Sequence, residues 1–219
     1  NRAEILIQIN EDDTAKLASL TFNGNESVSS STLQEQMELQ PDSWWKLWGN
    51  KFEGAQFEKD LQSIRDYYLN NGYAKAQITK TDVQLNDEKT KVNVTIDVNE
   101  GLQYDLRSAR IVGNVGGMAS ELESLLSSLH LNDTFRRSDI ADVENAIKAK
   151  LGERGYGSAT VNAVPDFDDA NKTLAITFVV DAGRRLTVRQ LRFEGNTVSA
   201  DSTLRQEMRQ QEVAWYNSQ

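Results

Sequence analysis

Leu20-Thr-Phe-Asn-Gly24-Asn25 recurs as Ala109-Arg-Ile-Val-Gly113-Asn114 and again as Leu191-Arg-Phe-Glu-Gly195-Asn196. The three glycines lie 89 and 82 residues apart. Two further landmarks keep the same order around this one. Asn71-Gly72-Tyr73 returns 83 residues later as Arg154-Gly155-Tyr156, and the strand Val94-Thr-Ile-Asp-Val-Asn-Glu-Gly101 returns as Ile176-Thr-Phe-Val-Val-Asp-Ala-Gly183. A degenerate copy of that strand stands at Ile5-Leu-Ile-Gln-Ile-Asn-Glu-Asp12. Three landmarks in constant order define an internal repeat of about 80–90 residues, and a repeat sets the architecture before any single motif does.

Periodicity supplies the elements of one copy. Val92, Val94, Ile96 and Val98 alternate with polar residues, as do Leu174, Ile176, Phe178 and Val180, which is the pattern of a half-buried strand. Phe57, Leu61, Ile64 and Tyr68 fall on one helical stripe, repeated by Ile140, Val143, Ile147 and Leu151. Gly72 and Gly155 follow those stripes where a left-handed C-cap belongs. A shorter helix is predicted after each Gly-Asn turn, carrying Leu33 and Met37, then Leu122 with Leu125 or Leu126, then Leu204 and Met208, the last capped by Ser199 with Asp201 in its first turn. The order is strand, short helix, long helix, strand, strand. Each module is thus an α+β unit, a three-stranded mixed sheet with two helices on one face. Residues 16–101 form one module, 102–182 a second, and 183–219 the first part of a third; 1–15 read as the end of a preceding one. The chain is accordingly expected to begin inside a larger protein.

A sheet of three strands has two edges, and each is a template for another chain. In the stretch Ala76-Gln77-Ile78-Thr79-Lys80-Thr81-Asp82-Val83, Ala76 and Ile78 share one face while Val83 falls out of phase. A slip of one residue between Thr79 and Asp82 is what a β-bulge produces. The equivalent stretch, Ala159-Thr160-Val161-Asn162-Ala163-Val164, runs into Pro165, which edge strands tolerate and central ones do not. Both second strands are therefore expected at sheet edges and open to an extended polypeptide.

Composition narrows the function. The net charge is −9 and uneven, with residues 184–219 at +2 and the remainder at −11. An acidic body argues against nucleic acid, whose affinity comes from neutralised phosphates. No apolar run approaches the roughly 18 residues of a membrane-spanning helix, and cysteine is absent. His130 is the only histidine, so no serine has a second base and a zinc site of about four nitrogen and sulfur ligands has no donors. Asp166-Phe-Asp168-Asp169-Ala-Asn171 lacks the glycine and closing glutamate of a calcium loop and reads as a turn between strands. Gly113-Asn-Val-Gly116-Gly117 has no following Lys-Ser/Thr and is no phosphate loop. No enzyme, metal or cofactor is expected. Ser43-Trp44-Trp45-Lys46-Leu47-Trp48-Gly49-Asn50-Lys51 holds three of the four tryptophans and is read as an interhelical loop that lids the first module or cements it to its neighbour, with an interaction surface as the alternative.

The Gly-Asn turn, the Gly-Tyr helix end and the closing strand ahead of Glu-Gly or Ala-Gly together resemble a tandem of POTRA (polypeptide-transport-associated) domains. The likeness extends through Pro41-Asp-Ser-Trp44-Trp45, Leu61-Gln-Ser-Ile-Arg-Asp-Tyr67-Tyr68-Leu69-Asn-Asn-Gly72-Tyr73-Ala74 and Leu204-Arg-Gln-Glu-Met-Arg-Gln210, and so covers essentially the whole chain. It implies a periplasmic arm at the Gram-negative outer membrane that receives unfolded outer-membrane proteins from chaperones, docks accessory lipoproteins and precedes a C-terminal barrel. It further implies that 1–15 end a second domain, that 16–101 and 102–182 are a third and a fourth, and that 183–219 begin a fifth. The third domain would dock a propeller-shaped lipoprotein at Ala76–Val83, and the fifth a helical-repeat lipoprotein through Glu207 and Arg209. The arm of another translocation barrel, or a structural or adhesive spacer, are the alternatives.

Overall fold

The structure, a computed structural model, describes residues 14–41, 44–48, 51–52, 55–88 and 90–187. The expected docking helix with Glu207 and Arg209, the expected strand Ile5–Asp12 and the expected third Gly-Asn turn lie outside the described residues. The chain divides into two compact units, Asn1–Gln103 and Tyr104–Gln219.

In the first unit, β1 (Thr14–Asn23) is followed by α1 (Ser30–Glu35), a hairpin of β2 (Trp44–Trp48) and β3 (Lys51–Phe52), α2 (Ala55–Asn70), β4 (Gln77–Leu85) and β5 (Lys91–Asn99). In the second, β6 (Asp105–Asn114) leads to α3 (Ala119–Glu123), a 3₁₀ turn at Ser124–Ser128, α4 (Arg137–Glu153), β7 (Thr160–Asp168) and β8 (Thr173–Asp181). The last strand is central in both sheets. β5 runs parallel to β1 and antiparallel to β4, and β8 runs parallel to β6 and antiparallel to β7.

The repeated landmarks have physical causes. Gly24 and Gly113 sit at φ +80° and +101°, and a Cβ there would stand 2.1 Å from the Val98 oxygen and 2.2 Å from the Val180 oxygen. Only glycine lets the turn lie against the central strand. At the helix ends, Tyr73 donates its N–H to the Tyr68 carbonyl and Tyr156 donates to Leu151, with the intervening Gly72 and Gly155 both at φ +88°. This is the six-to-one bond of a Schellman cap. The stripes face the sheets as the periodicity requires, with Phe57, Leu61, Ile64 and Tyr68 buried against Val92, Val94, Ile96 and Val98. Ile140, Val143, Ile147 and Leu151 are buried likewise, as are Leu174, Ile176, Phe178 and Val180. Each such side chain contributes about 1.5–3 kcal/mol by leaving water.

Three expectations need correction. The three-stranded mixed sheets are present as β1-β5-β4 and β6-β8-β7, but the tryptophan-rich stretch is a hairpin and not a loop, and it extends the first sheet to the order β3-β2-β1-β5-β4. β2 pairs antiparallel with Thr14–Lys16, and its aromatic, β-prone composition suits that role. β1 begins at Thr14, and Ala15 within it is fully buried. The second short helix stops at Glu123, and Leu125 and Leu126 are in the 3₁₀ turn. Ser124, Ser127 and Ser128 each donate a hydroxyl to the carbonyl three residues back, which favours the tighter winding. Met37 is buried but lies just past α1.

Candidate polypeptide-binding edges

β4 pairs with β5 alone and closes its sheet on that side. Its register slips between Ile78 and Lys80, leaving Thr79 as the extra residue, with its hydroxyl donated to the Asp97 carbonyl at 3.1 Å. Asn86 donates its N–H to Lys91 at 3.0 Å. In an antiparallel ladder the main-chain groups of alternate residues face the partner, so Gln84, Asp82 and Lys80 face β5. Leu85, Val83 and Thr81 then turn their N–H and C=O outward, and no described residue takes them. The side chains of Ile78, Val83 and Leu85 meanwhile pack on the core. Ala76 precedes the strand, and its N–H is already given to Tyr73.

β7 is the matching edge of the second sheet, and it is blunted. Ala163 donates its N–H outward to Glu144 Oε1 at 2.8 Å, and Glu144 Oε2 pairs with Arg137 at 3.3 Å. By the same alternation Val161, Ala163 and Pro165 face out. One of those donors is capped, and proline has none to offer. Glu144 stands eleven residues before Gly155, and eleven before Gly72 stands the buried Leu61. The sequence reading missed this cap. The available signal was a carboxylate in one copy where the other copy has leucine. Ala159, like Ala76, lies before its strand and donates to Tyr156. Thus Gln77–Val83 lie in one edge strand and Thr160–Val164 in another, with Ala76 and Ala159 outside them.

The first unit also holds a buried polar cluster. The Glu100 carboxylate accepts the N–H groups of Ser27 at 2.7 Å and Val28 at 3.0 Å, and the Tyr68 hydroxyl at 2.9 Å. Burial opposes its charge, yet these bonds outweigh burial and hold the carboxyl below its ordinary value. Burial, then the hydrogen bond to Glu100 and its charge, push the Tyr68 phenol up. In the second unit the same places are held by Ala182 and Leu151, both fully buried. Asp60, also buried, accepts the N–H groups of Glu38 and Leu39 and so anchors the chain beyond α1. His130 is exposed. Residues 169–172 turn between β7 and β8, with Asp168 accepting both nitrogens of Asn171, which hold its carboxyl below its ordinary value. Among the described residues no group of three or more carboxylates and imidazoles is placed to hold a metal.

Paired helices over a sheet whose last strand is central, with glycine-dependent turns at fixed places, define a family. A family model for POTRA, described as a surface antigen variable number repeat, matches residues 15–101 and 104–183, and the chain belongs to that family. Among solved structures it resembles Haemophilus influenzae BamA POTRA3-5, at 94% identity over 94% of this chain and 81% of that one, with a TM-score of 0.84. It is also 31% identical to the outer membrane protein assembly factor BamA of Neisseria meningitidis and 29% identical to that of Buchnera aphidicola, over 100% of this chain in each case. The chain spans 28% and 36% of the length of those two relatives.

Proposed function

We propose that this chain is part of the periplasmic arm of an outer-membrane protein assembly factor and works by binding other polypeptides, without catalysis. Its units 16–101 and 102–182 are the third and fourth POTRA domains, with 183–219 opening a fifth. The names of the relatives and the 94% identity to a POTRA3-5 structure support this placement. The partners are unfolded outer-membrane proteins, handed over by periplasmic chaperones, together with accessory lipoproteins and the barrel of the full-length protein. Within the stretch Ala76–Val83 the bulged edge Gln77–Val83 is the docking strand for a client or a lipoprotein, within Ala159–Val164 the edge Thr160–Val164 is a weaker one, and Glu207 with Arg209 contact a second lipoprotein.

One observation carries the reading. Thr81, Val83 and Leu85 present main-chain donors and acceptors that no described residue takes, on a strand without proline. A strand added there gains main-chain hydrogen bonds whatever its sequence, which suits a site that must accept many clients and release them.

The experiment is titration of a peptide from an outer-membrane strand into isotopically labelled chain, followed by amide chemical shifts. Shifts should centre on Thr81, Val83 and Leu85. Replacing Thr81 by proline removes one outward N–H while sparing the β5 ladder, and should weaken binding about fivefold or more, the worth of about one hydrogen bond. Shifts confined to other elements would overturn the proposal.

A further inference from the structure

We infer that the second unit carries a docking surface for an extended polypeptide on the side of its sheet away from β7, formed by the outer edge of β6 and the valine row beside it. The inference shares with the preceding section only that the ligand is an extended chain.

The phase of β6 is set by one bond. Ala182 donates its N–H to the Asn114 carbonyl at 2.9 Å, so Asn114 faces β8. Alternation turns Val112 and Arg110 the same way and leaves Ala109, Ile111 and Gly113 with outward main-chain groups. None of these is hydrogen-bonded to a described residue. No described residue caps the stretch and it holds no proline, in contrast to the capped, proline-bearing edge at β7.

The molecule itself shows what fits. Over its first third the same edge is already occupied by a short antiparallel segment. Asn132 donates to the Leu106 carbonyl at 2.7 Å, Leu106 to Asp133 at 2.9 Å, and Phe135 to Tyr104 at 3.0 Å. The internal segment ends there, and an incoming strand would continue the pairing along Ala109–Gly113.

The outer face beside that edge is apolar where the fold does not require it. Val112 and Val179 are cross-strand partners, and Val164 lies diagonal to Val179. They are 38%, 41% and 50% exposed. The other copy of the repeat is an internal control. The corresponding places in the first unit are Asn23, Asp97 and Asp82, and Asn23 donates to Asp97 at 2.8 Å. One register step along from the valines, Arg110 donates Nε to Thr177 at 3.0 Å, and its other nitrogens engage no described residue. An added strand would set an aliphatic residue beside Val112 and, two residues away on the same face, a carboxylate beside Arg110.

The test uses a capped nine-residue peptide of alternating valine and threonine with one aspartate, added to the labelled chain. Amide exchange at Ala109, Ile111 and Gly113 should slow. Val112→Asn, which installs the residue of the first unit, should weaken binding about tenfold. Arg110→Gln should weaken binding of this peptide and leave that of its asparagine analogue unchanged. Protection confined to Thr81, Val83 and Leu85 would overturn this inference and leave the preceding one standing. Protection that appears without peptide, rises with protein concentration and accompanies a sedimenting dimer would assign the edge to a second copy and overturn it. Binding indifferent to Val112→Asn would overturn it as well.

Discussion

Glu144 Oε1 lies 2.8 Å from the main-chain nitrogen of Ala163, so a helix side chain closes the outer edge of β7 from within its own unit. The first unit, with Leu61 at that place, shows no such closure among its described residues, and this difference separates two edges of the same topology.

Replacing Glu144 by leucine should therefore open the second edge. The Ala163 amide would exchange faster, and the unit would lose about 1 kcal/mol with the hydrogen bond. Combined with Pro165→Val, which restores an outward donor, the variant should gain strand-peptide binding or self-association, read by sedimentation. A double variant that neither binds nor associates would show that other features protect β7.

The Glu100 cluster predicts an acid response confined to the first unit. Because the carboxyl is held below its unfolded value of 4.5, its stabilisation is fully present above that pH and is lost as pH falls through the folded value. The Tyr68 phenol has the opposite sign, contributing below 10.0 and losing that contribution only as pH rises through its elevated folded value. Amide exchange at pH 7 and near pH 3 should show β5 protection falling in the first unit, with less change in β8, where Ala182 and Leu151 carry no charge. Tyr68→Phe, which removes one donor from Glu100, should cost about 1–2 kcal/mol at neutral pH.

Gly113→Ala should destabilise the second unit by at least about 2 kcal/mol, since left-handed backbone strain adds to a collision with the Val180 carbonyl. Gly117→Ala, at φ +79° with nothing within 4 Å, carries the strain alone and should cost less. Denaturant midpoints of the two variants compare them directly.

The exit of the second unit is pinned to its own long helix. Arg185 donates Nε to the Arg154 carbonyl at 2.6 Å, and Leu186 donates its N–H to Gly155. In the first unit Gln103 donates to Asn71 in the same manner. Arg185→Ala should accelerate exchange of the Leu186 amide about fivefold, the worth of one hydrogen bond, while the amides of β8 stay protected.

Much of this protein is local in origin. The repeat, the apolar stripes, the alternating closing strands, the glycine helix stops and the edge positions of β4 and β7 follow from periodicity and from glycine and proline stereochemistry, which act over a few residues and are written in order along the chain. The bulge was visible as a phase slip, although its place at Thr79 needed the partner strand. What the tertiary structure decided is which hydrogen-bonding groups are already spent. That Glu144 reaches Ala163, that residues 132–135 stop at Leu106, that Trp44–Trp48 joins the sheet and that Val112 meets Val179 on an outer face all depend on residues distant in sequence meeting in space. An edge is open or closed only through those meetings. The sequence alone thus located the strands of the repeat, and the packed structure determined which of their edges can still receive another chain.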